Sequence, residues 1–213
     1  MGPSRQKLKG LMAVTYRIGK PLDEFIEQIE GAAAGGADII ELREKNISET
    51  ELITIAGRVK TITDKYNIPL ILNDYPEIAA KINADGVHLG QSDPAISAAR
   101  RILPAGSIVG GSAYNSIERA MRAEAEGADY AAMSSPYTSL SKPLKKLTTP
   151  EIIRETKKRL KIPLFVIGGI TEENAEEIMS LGIDGIAVMN GIFSKDNTEK
   201  ATREIKSAIE RFL

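Results

Sequence analysis

The chain has 213 residues, 42% apolar and 27% charged, with 28 Lys+Arg against 29 Asp+Glu for a formal charge of −1. That balance fits one ordinary globular domain over residues 1–213, excludes a disordered chain, and lacks the basic excess of a nucleic-acid binder. With no cysteine and one histidine, disulfides, thiolate nucleophiles, Cys-based zinc sites, iron–sulfur clusters and multi-histidine metal centres are ruled out.

A β-forming run near 11–16 opens the chain and is followed by a helix-period stretch near 21–34. The alternation then recurs: strands near 39–43, 70–73 and 86–89 precede helices near 49–66, 77–82 and 95–103. Strands near 108–112 and 130–133 precede helices near 116–126 and 150–160. The last two pairs are 164–167 with 173–181 and 185–188 with 198–212. Helix starts are marked by the capping box Ser48-x-x-Glu51, by Thr149 before Pro150, and by Thr171 before Glu172 and Glu173. A small or apolar residue followed by Asp precedes four strands (Asp38, Asp85, Asp129 and Asp184), at separations of 47, 44 and 55 residues. No apolar run spans a membrane, and Met1 to Gln6 lack a signal peptide's apolar segment, so a cytoplasmic protein with no membrane partner is expected.

Eight βα units in 213 residues predict a (β/α)8 TIM barrel. A doubly wound open sheet competes less well, because the period runs through the whole chain and no G-x-G-x-x-G follows a strand. In a barrel the chemistry belongs to the loops after the strands. Asn73-Asp74 and Asp93 end neighbouring strands, which run about 4.8 Å apart. Two carboxylates there form a hard oxygen site suited to Mg²⁺, whose remaining positions go to water and phosphate. Asp93 also precedes Pro94, so by itself it could equally be a helix cap.

Arg43 and Lys45 alternate on the second strand's exit and can share one face, as Glu41 does, whereas Glu44 is expected to turn outward. Lys142 lies in the 14-residue stretch 134–147, which has no helix or strand pattern and reads as a lid over phosphate, mobile alone and ordered by pyrophosphate. Cations facing a metal across a barrel mouth suit a diphosphate. Gly168-Gly169 and Asn190-Gly191 end strands seven and eight, where barrels commonly bind phosphate on backbone amides. His88, between Val87 and Leu89, reads as a buried, hydrogen-bonded structural histidine. A Schiff-base aldolase would want a lysine at the sixth strand's exit, where Met133-Ser134-Ser135 offers none.

Glu41-Leu42-Arg43-Glu44-Lys45, Leu72-Asn73-Asp74, Ala84 through Asp93, Gly111-Ser112-Ala113 and Ile167-Gly168-Gly169-Ile170 together resemble the thiamine-phosphate synthase family, with the thiazole tautomerases that share its fold. The resemblance runs essentially end to end. It implies a barrel that joins hydroxymethylpyrimidine diphosphate to thiazole phosphate and releases pyrophosphate through a pyrimidine cation. It implies Mg²⁺ on Asp74 and Asp93, the diphosphate on Arg43, Lys45, Asn73 and Lys142, and Ser112 near the reacting pyrimidine. Gly169 and the turn at Met189 and Asn190 would hold the thiazole phosphate. The chain departs from the family at Glu41, where Gln is usual, and at Asn190, where Ser is usual. Ser139 and Ser141 replace the two threonines of the family's loop. Tyr114 stands where tautomerase-like relatives carry histidine, while Gly185 to Phe193 looks like the tautomerase ending. The retained carboxylate pair favours a synthase over a tautomerase-like paralogue or a regulatory protein that binds thiamine precursors. A homo-oligomer is compatible with the sequence.

Overall fold

The computed structural model describes residues 8–17, 19–138 and 147–213. Eight parallel strands close into a barrel in chain order: β1 (Gly10–Val14), β2 (Ile39–Leu42), β3 (Leu70–Asn73), β4 (Gly86–Leu89), β5 (Ile108–Tyr114), β6 (Tyr130–Ser134), β7 (Leu164–Ile167) and β8 (Gly185–Val188). Helices α1 (Leu22–Ala34), α2 (Glu49–Tyr66), α3 (Pro76–Lys81), α4 (Ile96–Ile102), α5 (Ile117–Ala125) and α6 (Pro150–Arg159) follow the first six strands. Helix α7 (Ala175–Met179) follows β7, and α8 (Asn190–Phe193) and α9 (Thr198–Ile209) follow β8. The expected strands and major helices are all present.

Three boundaries differ from the sequence expectation for local reasons. The helix after β7 starts at Ala175, because Asn174 Oδ1 accepts from Thr171 N (2.9 Å) and turns the chain once more first. Strand β5 runs on to Tyr114 through a bulge between Ser112 and Tyr114. Helix α8 is a single turn, too short to leave a 3.6-residue period in the sequence.

Side chains alternate across the strands. One set packs against the helices; the other fills the barrel with Met12, Val14, Ile39, Ile71, Tyr130 and Phe165. Two rings dominate the lumen, Tyr130 meeting Phe165 edge-on at 5.4 Å between centroids. They fit only beside glycines. A Cβ on Gly110 would lie 2.1 Å from the Tyr130 ring, and one on Gly185 would lie 2.4 Å from Phe165.

The recurring aspartates close the opposite end of the barrel. Asp38 accepts from Leu11 N (2.7 Å), Asp85 from Leu70 N (2.9 Å), Asp129 from Val109 N (2.8 Å) and Asp184 from Leu164 N (2.9 Å). Each aspartate precedes an even strand and pins the start of the odd strand before it. Each also meets a helix cation: Lys60, Arg100 and Lys157 come from the helix leading into that odd strand, and Lys206, which meets Asp38, comes from the last helix, α9. The sequence period is therefore a fourfold structural repeat.

Asp129→Ala strands Val109 N–H and removes the carboxylate that pairs with Arg100, and should cost about 2–3 kcal/mol of stability by urea unfolding. Glu204→Ala, which removes only the exposed pair with Lys200, should stay within about 0.5 kcal/mol. Equal losses for the two variants would mean that the pin carries no stability.

Candidate active site

The strand exits surround a cavity of about 920 Å³ at the carboxyl end of the barrel. Its wall takes Glu41, Arg43 and Lys45 from the end of β2, Asn73 and Asp74 from β3, and His88, Gly90 and Asp93 from β4. Ser112 and Tyr114 come from β5, Gly168 and Gly169 from β7, and Met189 and Asn190 from β8. The sequence expectation that these residues share one mouth is met. Lys142, Ser139 and Ser141 lie outside the described residues, as does most of the expected lid. The ends of that segment are joined, Thr148 N donating to Ser135 O at 3.2 Å.

Buried Thr15 fixes the cationic side of the mouth, its hydroxyl accepting from Arg43 N at 2.9 Å. Lys45 reaches across to pair with Asp74. Asp74 itself sits at φ +75°, a left-handed conformation that an aspartate tolerates better than most residues. Its backbone is held there by Asp74 N donating to His88 O at 2.9 Å. Asp93 Oδ2 accepts from Gly90 N at 2.6 Å, and its side chain caps no helix, because α4 begins after Ala95. That removes the capping alternative.

Burial, then the facing Asp74 carboxyl, pushes the Asp93 pKa up; the Gly90 N–H and the Lys45 charge oppose this. A carboxyl whose proton affinity is raised by burial and by a facing carboxyl is a place where a cation gains most. Among the described residues no group of three or more His, Cys, Asp and Glu is arranged to hold a metal. Two carboxylates fall short of a protein cage, so a divalent cation here would have to take its remaining ligands from water and substrate oxygens.

Glu41 is buried within the cavity wall, and desolvation raises its pKa, favouring the neutral acid, which can donate a hydrogen bond as a glutamine would. Glu44 leaves the lumen as expected but does not reach solvent. It is 7% exposed, with Arg17 at 3.9 Å, and burial lifts its pKa from the ordinary 4.5 to about 7. The expectation that it turns outward missed the cover that Arg17 provides.

Across the mouth, Gly169 (φ +61°) runs so close to the chain after β6 that a Cβ would lie 2.3 Å from Thr138 O. Ser134 Oγ and Asn190 Oδ1 are buried without a partner among the described residues, and both residues line the cavity. The Ser134 hydroxyl can donate to a phosphate bound at this corner, whereas Asn190 Oδ1, an acceptor, takes a donor from water or from another part of a ligand. Thr171, next to the Gly168-Gly169 turn, lines the cavity too; sequence reasoning missed Ser194 and Lys195, which also line it. Lys195 stands beyond the single-turn α8 and pairs with Glu172 at 3.3 Å, so no strand-exit pattern pointed to it. His88 is buried and hydrogen-bonded, as expected, yet it also lines the cavity and touches Ser112.

Facing carboxylates, a pair of cations and an unsatisfied polar corner define a barrel site for phosphorylated small molecules. The family described as Thiamine monophosphate synthase matches residues 11–192. The thiamine-phosphate synthase of Caldanaerobacter subterraneus subsp. tengcongensis is 42% identical over 204 residues, covering 94% of this chain and 95% of its own. That of Clostridium tetani is 41% identical, covering 88% of each. A solved thiamine phosphate pyrophosphorylase from Pyrococcus furiosus superposes with a TM-score of 0.85 at 34% identity over 96% of each chain. The chain belongs to the thiamine monophosphate synthase family and is a transferase acting on small molecules. No helix among the described residues is long and apolar enough to cross a membrane.

The Glu44 acid should leave a mark on stability. Below about pH 4.5 folded and unfolded chains both hold the proton; as pH rises to about 7 the unfolded chain ionises while the folded one resists. Stability should fall across that window, and Glu44→Gln should flatten the fall when unfolding is measured at several pH values. An unchanged slope would remove Glu44 from the account.

Proposed function

We propose that this barrel joins hydroxymethylpyrimidine diphosphate to thiazole phosphate with release of pyrophosphate, using Mg²⁺ and a dissociative mechanism. The observation that carries the reading is the facing pair Asp74 and Asp93 beside Lys45 at one barrel mouth. Mg²⁺ held by those two carboxylates would supply charge neutralisation to diphosphate oxygens.

The protein's own groups do the rest. Arg43, Lys45, Asn73 and Lys142 bind the diphosphate, with Ser139 and Ser141 beside Lys142. As the pyrimidine's carbon–oxygen bond breaks, its electron pair leaves with the diphosphate, and the cations favour that charge more than they favour the bound substrate. The thiazole nitrogen then forms the new carbon–nitrogen bond to the pyrimidine methylene cation. No protein nucleophile is needed, in keeping with a chain that has no cysteine. Gly168, Gly169, Met189 and Asn190 hold the thiazole phosphate, a role supported by the Ser134 hydroxyl beside them, which has no partner among the described residues and can donate to a phosphate oxygen. Glu41, whose proton affinity burial raises, reads the pyrimidine.

Asp74→Ala should lower turnover by at least about 10²-fold and abolish Mg²⁺-dependent pyrophosphate binding in calorimetry. Full activity with the metal still required would contradict the assignment. Lys142→Ala should reduce kcat by about 10²-fold while changing thiazole-phosphate affinity little. Equal losses in both would mean that it holds the wrong substrate.

A further inference from the structure

A chain of three side chains runs from the sealed lumen to the cavity. Tyr130 Oη lies 3.0 Å from His88 Nδ1, and His88 Nε2 lies 2.8 Å from Ser112 Oγ. The two rings stack, 5.5 Å apart with an interplanar angle of 29°. Tyr130 is fully buried, and Ser112 lines the cavity.

Hydrogen-bond accounting fixes the direction of this chain. Among the described residues the hydrogen-bond partner of the Tyr130 phenol is His88 Nδ1. A proton on Nδ1 would leave the phenol's own proton without an acceptor inside the barrel, which costs more than an unfilled lone pair. Burial also holds the phenol pKa well above its usual range, so the proton is there to donate. Nδ1 therefore accepts from Tyr130, the imidazole proton sits on Nε2, and Nε2–H donates to Ser112 Oγ. With its oxygen engaged as acceptor, Ser112 keeps its own proton to donate to a group in the cavity it lines.

The substrate group that suits a fixed donor is one that gains negative charge. Within the proposed reaction that is the departing diphosphate oxygen, which takes the electron pair of the breaking carbon–oxygen bond. We propose that His88, oriented by Tyr130, is a positioning residue that holds Ser112 as an obligatory hydrogen-bond donor to the departing oxygen.

The kinetic part of this inference rests on the proposed synthase reaction; the tautomer does not. The chain has one histidine, so long-range ¹H–¹⁵N correlation on the untagged, ligand-free protein reads that ring alone. The Nε2–H tautomer is expected, and Tyr130→Phe should abolish the preference for it. Nδ1–H in the wild type, or a tautomer indifferent to Tyr130→Phe, would overturn the proposal whether or not the protein is a synthase.

The kinetic arm is a double-variant cycle. His88→Phe should lower kcat roughly tenfold to a hundredfold, with KM for thiazole phosphate unchanged, and should cost nothing further in a Ser112→Ala background. His88→Gln, whose amide can still donate to Ser112, should recover part of the rate. Equal factors in both backgrounds, or a loss confined to thermal stability, would make His88 a packing residue and defeat the proposal. A wild-type protein without synthase activity would instead defeat the functional reading and leave the tautomer measurement to decide this one.

Discussion

The site depends on the register of the strands, and the register is set at the far end of the barrel. Four aspartates each bind a backbone N–H at the start of an odd strand and a cation from a helix. A parallel barrel has no hairpin turns to fix register, and a one-residue slip would exchange lumen for helix-facing side chains. Each pin joins an even strand, an odd strand and a helix by groups that cannot slide. Glu41, Arg43, Asn73, His88 and Ser112 face inward together only while that register holds.

Between the pins and the mouth, Tyr130 and Phe165 plug the lumen, with Gly110 and Gly185 yielding the space. The plug turns a closed sheet into a cup and supplies the dry surroundings in which charge interactions gain strength. It is also continuous with the site, since the Tyr130 hydroxyl reaches His88. The same side chain thus seals the barrel and constrains the group that faces substrate. At the rim, Asp74 in a left-handed conformation and the β5 bulge before Tyr114 show where regular strand geometry yields to aim.

Much of this was legible in the residues. Buried parallel strands are short apolar runs, so all eight stood out, and their exits collected the residues that the cavity brings together. The aspartate period was visible at separations of 47, 44 and 55 residues, but its meaning was not, because the partners are backbone groups and helix cations distant in the chain. Glu44 was misjudged since alternation reports which face of a strand a side chain takes, not what covers that face. Helix α8 and Lys195 were invisible for want of a full period. His88 was read correctly as buried, whereas its direction of hydrogen bonding required knowing that a tyrosine 42 residues away lies behind it.

The central claim is that facing carboxylates and cations at this mouth drive departure of a diphosphate and its replacement by the thiazole nitrogen. The most direct measurement is incubation of the purified protein with hydroxymethylpyrimidine diphosphate and thiazole phosphate, with and without Mg²⁺, followed by mass spectrometry. Thiamine phosphate and pyrophosphate in equal amounts, formed only with the metal, are the result the account predicts. An isomerised thiazole with no coupled product, or a covalent pyrimidine–protein adduct, would contradict it.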